Sequence, residues 1–209
     1  MTLKLIVKKL EMIEESYIDS KLLKEYCKEL KLDYYTVIRY LLSNRYLYRI
    51  LRGVFYKPSI EERKLGILRV NHLEAISHAL RIKGVKNWYF GLESALKMNN
   101  LTHEFFAMDY VINDTIFRPR PITILGNKVR FIKLKKSLTN FGVKGNGNLE
   151  YSDPEKTVLD MVYLSKYGGL DDGEINEKVS EIAKTCEKAT LIKYSSHYNH
   201  SVESYAEAL

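Results

Sequence analysis

The sequence predicts an α+β protein in two parts: three short helices and a β-hairpin, then a mixed α+β domain. Three observations carry this. Apolar residues recur at helical spacing as far as Leu41. The stretch YLYRILRGVFYKP, Tyr46 to Pro58, then alternates with period two and turns over at Arg52-Gly53. From Asn87 onward, short aromatic and β-branched runs separated by turn residues alternate with helical segments.

The first helix is expected from Leu3 to Ile13, with apolar residues at 3, 6, 7, 10 and 13. Ser16 to Ser20 breaks the pattern, and Asp19 or Ser20 suits the cap of a second helix running to about Leu30. Its apolar face is Leu22, Leu23, Tyr26 and Leu30. Asp33 is placed to cap a third helix. There Tyr34, Val37, Ile38 and Leu41 sit at i, i+3, i+4 and i+7 as the buried stripe, leaving Tyr35, Thr36, Arg39 and Ser43 outside and Tyr40 near the boundary. Tyr46 to Leu51 and Val54 to Tyr56 read as the two strands of a hairpin. Three short helices followed by a two-stranded hairpin predict a winged helix-turn-helix over residues 1–58, whose third helix would enter the major groove of DNA.

Residues 59–209 are expected to form the α+β domain. Ile60 to Ile82 would be one long or two shorter helices linking it to the first part. NWYFG (87–91) reads as an aromatic strand leading into a helix, LESALKMNN. Further strands are expected at Phe105–Ile112, Ile122–Leu125, Val129–Leu134 and Leu138–Val143, and GVKGNGN (142–148) as a flexible loop. DPEKTVLDMVYL (153–164) starts a helix with Asp153 as cap and Pro154 in its first turn. A last helix covers about Gly173 to Glu187, and the tail after it has no assigned structure.

The formal net charge is +7, and its placement says more than its size. Residues 31–58 hold six basic side chains against one acid, residues 115–149 eight against none, and residues 171–209 eight acids against four lysines. Segregation of this kind points to a polyanion surface followed by a more acidic end. The candidate DNA-binding residues are Tyr35, Thr36, Arg39, Ser43, Arg45, Arg49, Arg52 and Lys57. Arg39, with Tyr35 and Thr36 on the same helix face, is placed to reach base edges, while the arginines of the hairpin would meet phosphates. Arg118, Arg120, Lys128, Arg130, Lys133, Lys135 and Lys136 form a possible second basic surface. The hairpin could instead be a solvated edge or a protein-docking surface.

Catalysis is not indicated. Asp153, Glu155 and Lys156 could in principle hold a metal for phosphodiester cleavage, which leaves a metal-dependent nuclease as the alternative. The same residues have a plain structural reading as cap, first-turn proline and dipole-friendly acid. His72 and His78 are six apart and no metal-ligand spacing occurs, so neither metal nor cofactor is expected. GVKGNGN lacks the Lys-Ser/Thr ending of a phosphate-binding loop. Glu93 and Ser94 have no visible partner. Cys27 and Cys186, both placed in expected helices, read as packing residues of a reduced, cytoplasmic protein. No membrane-spanning run or secretory signal is visible.

A hairpin ending LYRILRGVFYKP, then YFGLESALKMNNL, an Arg-Pro-Arg turn and YSDPEKTVLDMVYL resemble, in order and spacing, the AbiEi family of antitoxins. That resemblance covers roughly residues 10–170. It implies a transcriptional repressor that binds inverted repeats in its own promoter. It also implies an antitoxin of a type IV toxin–antitoxin system, countering a nucleotidyltransferase toxin through the second domain. By position it assigns DNA contacts to Tyr35, Thr36, Arg39, Arg49 and Arg52. The acidic region after Gly169 has little that matches the family. A stand-alone regulator without a toxin is also open, as is the oligomeric state.

Overall fold

The computed structural model describes residues 3–209. Its secondary structure is mixed α+β, with ten helices and two sheets among the described residues. The chain divides into two compact units. One holds residues up to Gly84 together with Ile124–Gly126, the other Val85–Thr123 and Asn127–Leu209.

The first unit begins with α1 (Leu3–Glu11), β1 (Tyr17–Asp19), α2 (Ser20–Glu29) and α3 (Tyr34–Ser43). The hairpin follows as β2 (Tyr48–Leu51) and β3 (Val54–Tyr56). The expected apolar stripes converge: Ile6 and Leu10 of α1, Leu23 and Cys27 of α2, and Val37, Ile38 and Leu41 of α3 enclose one core with Leu47 and Phe55. Strand β1 lies where the sequence shows only a break, because three residues are too few to display a period. Tyr17 pairs with Tyr56, Ile18 with Phe55 and Asp19 with Val54, so β3 becomes the centre of a β1-β3-β2 sheet. Asp19 then turns from strand to cap, accepting from the backbone N–H groups of Lys21 and Leu22 at 3.0 Å each.

The helices expected as a linker are part of this unit, which moves the division from Pro58 to Gly84. They are α4 (Ile60–Leu65) and α5 (His72–Ile82). The carboxylate of Glu62, buried, accepts from the Tyr56 hydroxyl, the Ser59 backbone N–H and the Arg69 backbone N–H, each at 2.7 Å. Burial alone would raise this carboxyl; the three donors hold it below its ordinary value. One buried side chain thus ties β3, α4 and the approach to α5 together. Ala75, Ile76, Ala79 and Leu80 form the buried face of α5, which packs on the sheet, and His78 stacks on Tyr17 with ring centres 4.6 Å apart.

The second unit is built on a six-stranded mixed sheet. Its strands are β4 (Trp88–Phe90), β5 (Met108–Asn113), β6 (Ile122–Ile124), β7 (Asn127–Lys133), β8 (Val143–Asn146) and β9 (Leu149–Ser152), in the order β6-β7-β5-β4-β9-β8. Helix α6 (Leu92–Met98) follows β4. Two sequence expectations change here. Residues 138–142 are not a strand; a 3-10 turn, Lys136–Leu138, and a loop precede β8, which starts at Val143. GVKGNGN is not a free loop but the β8–β9 hairpin, with Asn146 facing Leu149 across a two-residue turn. Gly142 is needed where it stands: its φ is 62°, and a Cβ there would lie 2.7 Å from the Cβ of Lys156.

Helix α7 (Pro154–Tyr167) is followed by α8 (Asp172–Ala183), which ends before Cys186 rather than containing it. The unassigned tail forms α9 (Lys188–Ser195) and α10 (His200–Ala208). Val158, Leu159 and Val162 of α7 pack against Ile175 and Val179 of α8, Leu191 of α9, and Val202 and Ala206 of α10. No helix among the described residues is long and apolar enough to cross a membrane.

A buried ion pair sits at the centre of this unit. Lys156 Nζ and the Asp160 carboxylate are wholly inaccessible to solvent and 2.6 Å apart, one helical turn apart on α7. Tyr198 also meets both, 2.6 Å from Nζ and donating to Asp160 Oδ1 at 2.7 Å, while Tyr89 donates to Asp160 Oδ2 at 2.7 Å. The rings of Tyr89, Phe141 and Tyr198 face the ammonium with centres 5.2, 4.7 and 5.0 Å away. Burial pulls the Lys156 ammonium below its ordinary pKa and pushes both tyrosine hydroxyls well above theirs. The cluster joins β4, α7 and the α9–α10 connection.

Removing one partner leaves an unmatched buried charge. Asp160→Ala is expected to cost about 3–5 kcal/mol, and Lys156→Met combined with Asp160→Leu to cost much less than that. Urea unfolding followed through Trp88, the single tryptophan and a buried residue of this unit, measures both.

Candidate nucleic-acid interface

Helix α3 is fixed at both ends. Asp33 accepts from the Thr36 backbone N–H at 2.7 Å, which is the main reason its carboxyl sits below its ordinary pKa; the guanidinium of Arg39 adds a weaker pull. At the other end the Tyr46 N–H reaches the Leu41 carbonyl at 2.9 Å and the Arg45 N–H reaches that of Leu42 at 3.2 Å. These two bonds close a Schellman motif and place Arg45 in the left-handed position, φ 56°, that glycine usually fills. The end of α2 closes the same way, with Lys31 at φ 52°. A cation thus stands where backbone strain alone would favour glycine.

With Val37, Ile38 and Leu41 turned inward, the opposite side of α3 is open. Tyr35 is 76% exposed, and Thr36, Arg39 and Ser43 are exposed beside it. The hairpin supplies Arg49 and Arg52, also exposed. Arg49 pairs across the ladder with Phe55, its guanidinium 5.8 Å from the centre of that ring, and it acts electrostatically on the Tyr34 hydroxyl at the start of α3. Arg39, in the middle of α3, and Arg49, on the hairpin, thus each act electrostatically on a residue at the start of α3, Asp33 and Tyr34. The turn carrying Arg52 is anchored to α2 by the Ser20 N–H, which donates to the Gly53 carbonyl at 2.8 Å. Gly53 has φ 80°, and a Cβ on it would come 3.0 Å from Ser20 Oγ, so the close turn requires glycine. Among the described residues, Arg39, Arg45, Arg49 and Arg52 make no ion pair.

Lys57 is the exception. Its ammonium turns inward and donates to the carbonyls of Leu10, at 3.2 Å, and Ile13, closing the C-terminal end of α1. Burial lowers its pKa, with Arg63 acting in the same sense and Glu15 and Glu11 opposing. It belongs to the scaffold and not to the exposed face.

The acids of the DPEK stretch do not converge on an open site. Asp153 caps α7, accepting from the Lys156 N–H at 2.8 Å and the Tyr194 hydroxyl at 3.2 Å. Glu155 accepts from the Glu187 N–H at 2.8 Å, and Lys156 is enclosed as described. Among the described residues no group of three or more His, Cys, Asp or Glu could hold a metal ion. Ser94 has partners that the sequence hides: its hydroxyl donates to Asp109 at 2.8 Å and accepts the Tyr110 N–H at 3.0 Å.

The second basic cluster separates into two sets. Arg118, Arg130, Lys133 and Lys135 line a groove of about 1240 Å³ in the second unit. Arg120, Lys128 and Lys136 are exposed but do not line it. The groove is not legible in the sequence because its walls come from β5, β7, α6, α7, α8 and the loops between them.

No protein-family model matches the chain, and no curated protein does. Among solved structures, the crystal structure of the RV2827C protein from Mycobacterium tuberculosis superposes with a TM-score of 0.60 at 11% sequence identity. The match covers 99% of this chain and 75% of that one. At this identity the likeness is one of fold.

Lys57→Met is expected to leave duplex DNA affinity unchanged while lowering stability by roughly 1.5–3 kcal/mol, the worth of a charged donor on otherwise unpaired carbonyls. Filter binding and urea unfolding of the same preparation separate the two effects; the Leu10 carbonyl keeps the Ile13 N–H, 3.2 Å away, as a second donor, which places the loss toward the lower figure.

Proposed function

We propose that the first unit is a winged helix-turn-helix that binds double-stranded DNA, and that the chain is a transcriptional repressor of its own operon. The observation that carries this reading is the exposed, unpaired set Arg39, Arg49 and Arg52, gathered on α3 and its hairpin with Tyr35 and Thr36. The element order α1-β1-α2-α3-β2-β3, with β3 central, also supports it. In this reading α3 lies in the major groove, where Arg39 donates to a guanine and Tyr35 and Thr36 meet neighbouring edges. Arg49, Arg52 and Arg45 neutralise phosphates, with release of counterions.

The second part of the reading is that the chain acts as the antitoxin of a type IV system, opposing a nucleotidyltransferase toxin. It is supported by the resemblance to the AbiEi antitoxins in the RGVF, FGLESAL and DPEKTVLD stretches. Co-expression with a nucleotidyltransferase toxin of the type IV class tests it: restored growth supports antitoxin activity, and unrelieved toxicity refutes it.

For the DNA reading, the measurement is a salt titration on duplex DNA from upstream of the gene. Arg49→Ala with Arg52→Ala is expected to reduce the slope of log K against log salt by about 1.8, or 0.9 per lost phosphate contact. Arg39→Ala is expected to cost about 1–3 kcal/mol on the preferred site and much less on unrelated DNA. Wild-type affinity and slope in both variants would reject the assigned surface.

A further inference from the structure

The groove of the second unit combines features that the duplex-binding reading does not use. Its volume, about 1240 Å³, exceeds the roughly 300–1,000 Å³ of ordinary small-molecule sites, so it has room for a ligand of several units. Arg118, Arg130, Lys133 and Lys135 line it, and among the described residues none of them makes an ion pair. At its rim stand two aromatic side chains with little cover, Phe117, 70% exposed, and Tyr167, 85% exposed. Rings this open on a folded surface have faces free for stacking.

A buried acceptor lies on the groove lining. Glu93 lines it, and its Oε2 is out of reach of solvent with no hydrogen-bond partner. Neighbours fix its place. Tyr110 and Arg130 are opposite each other on β5 and β7, and the Tyr110 hydroxyl is held above its ordinary pKa by burial and by Glu93, with Arg130 opposing. Glu93 as a whole is only partly covered, so its carboxylate offers the groove a hydrogen-bond acceptor among its cations.

We propose that this groove binds single-stranded nucleic acid. Phosphates fall to these cations and to Lys178, which also lines the groove, bases stack on Phe117 and Tyr167, and Glu93 accepts the amino group of one base. Duplex DNA does not fit this chemistry, because its bases are already stacked and offer no free faces to aromatic rings. An acidic peptide fits it worse, since its acidic side chains offer Phe117 and Tyr167 no flat ring faces to stack on. Cytosine and adenine carry an exocyclic amino group and uracil does not, which predicts a preference among bases.

The test uses the full chain and fluorescein-labelled oligocytidylate and oligouridylate about 12 nucleotides long, each as RNA and as the DNA counterpart, read by anisotropy. Binding of both sugar types is expected, with cytidylate preferred. Phe117→Ala and Tyr167→Ala are each expected to weaken binding about tenfold. Arg130→Ala with Lys133→Ala is expected to flatten the salt dependence by a slope of about 1.4, or 0.7 per lost single-strand contact. Glu93→Gln is expected to erase the preference for cytidylate over uridylate even where overall affinity rises. All these residues except Glu93 are exposed, and Trp88 fluorescence reports whether each variant is folded. Arg39→Ala and Arg49→Ala serve as controls and are expected to leave single-strand binding intact, so a failure of the duplex reading leaves this one standing. The proposal is overturned by wild-type affinity in the groove variants, by loss in the α3 variants instead, or by equal competition from oligoglutamate.

Discussion

A charge removed from water must be matched, and that requirement organises this molecule. In the second unit it is met by Lys156 and Asp160, enclosed by Tyr89, Phe141 and Tyr198. Such a pair adds little net stability of its own, because desolvation consumes most of the attraction. What it does is specify. Tyr89 arrives on β4 and Tyr198 from the α9–α10 connection, so the network is complete only when strand, central helix and C-terminal helices meet in one arrangement. Gly142 belongs to the same constraint, since any larger residue would strike Lys156.

The same requirement sorts the cations of a basic chain into those engaged inside and those left outside. Lys156 has a carboxylate and three rings; Lys57 has two carbonyls at the end of α1. Arg39, Arg49 and Arg52 have no carboxylate partner among the described residues and stand on one helix and the hairpin that follows it. Net charge does not make this distinction. Exposed and outside any salt bridge, these three arginines can take phosphates with release of counterions, which is why DNA binding is proposed for them and not for Lys57.

Much of the first unit was legible in the sequence, because its helices are amphipathic and capped by residues that advertise themselves. Asp19 and Asp33 cap α2 and α3, and the inward stripe of α3 leaves Tyr35, Thr36, Arg39 and Ser43 outside by simple periodicity. Elements whose cause is tertiary were hidden. Strand β1 exists because Ile18 has a core to enter and β3 has a free edge. The division after Gly84 follows from Glu62, a residue that in sequence is one acid among several on a short helix. Helices α9 and α10 carry few apolar residues, and Leu191, Val202 and Ala206 make sense only against α7. The glycine-rich 142–148 stretch suggests mobility until β9 is seen beside it. The groove is assembled from segments far apart in the chain, so the basic window 115–149 showed its charge without its shape.

In the proposed function the outer face of α3 lies against the major groove of duplex DNA. Protection of guanine N7 from methylation, which reports occupancy of the major groove, tests it most directly on DNA upstream of the gene. The account predicts a protected guanine in each copy of the bound element, with that protection lost in Arg39→Ala while the surrounding phosphates stay covered. Full protection persisting in Arg39→Ala, or no protected guanine at saturating protein, would contradict it.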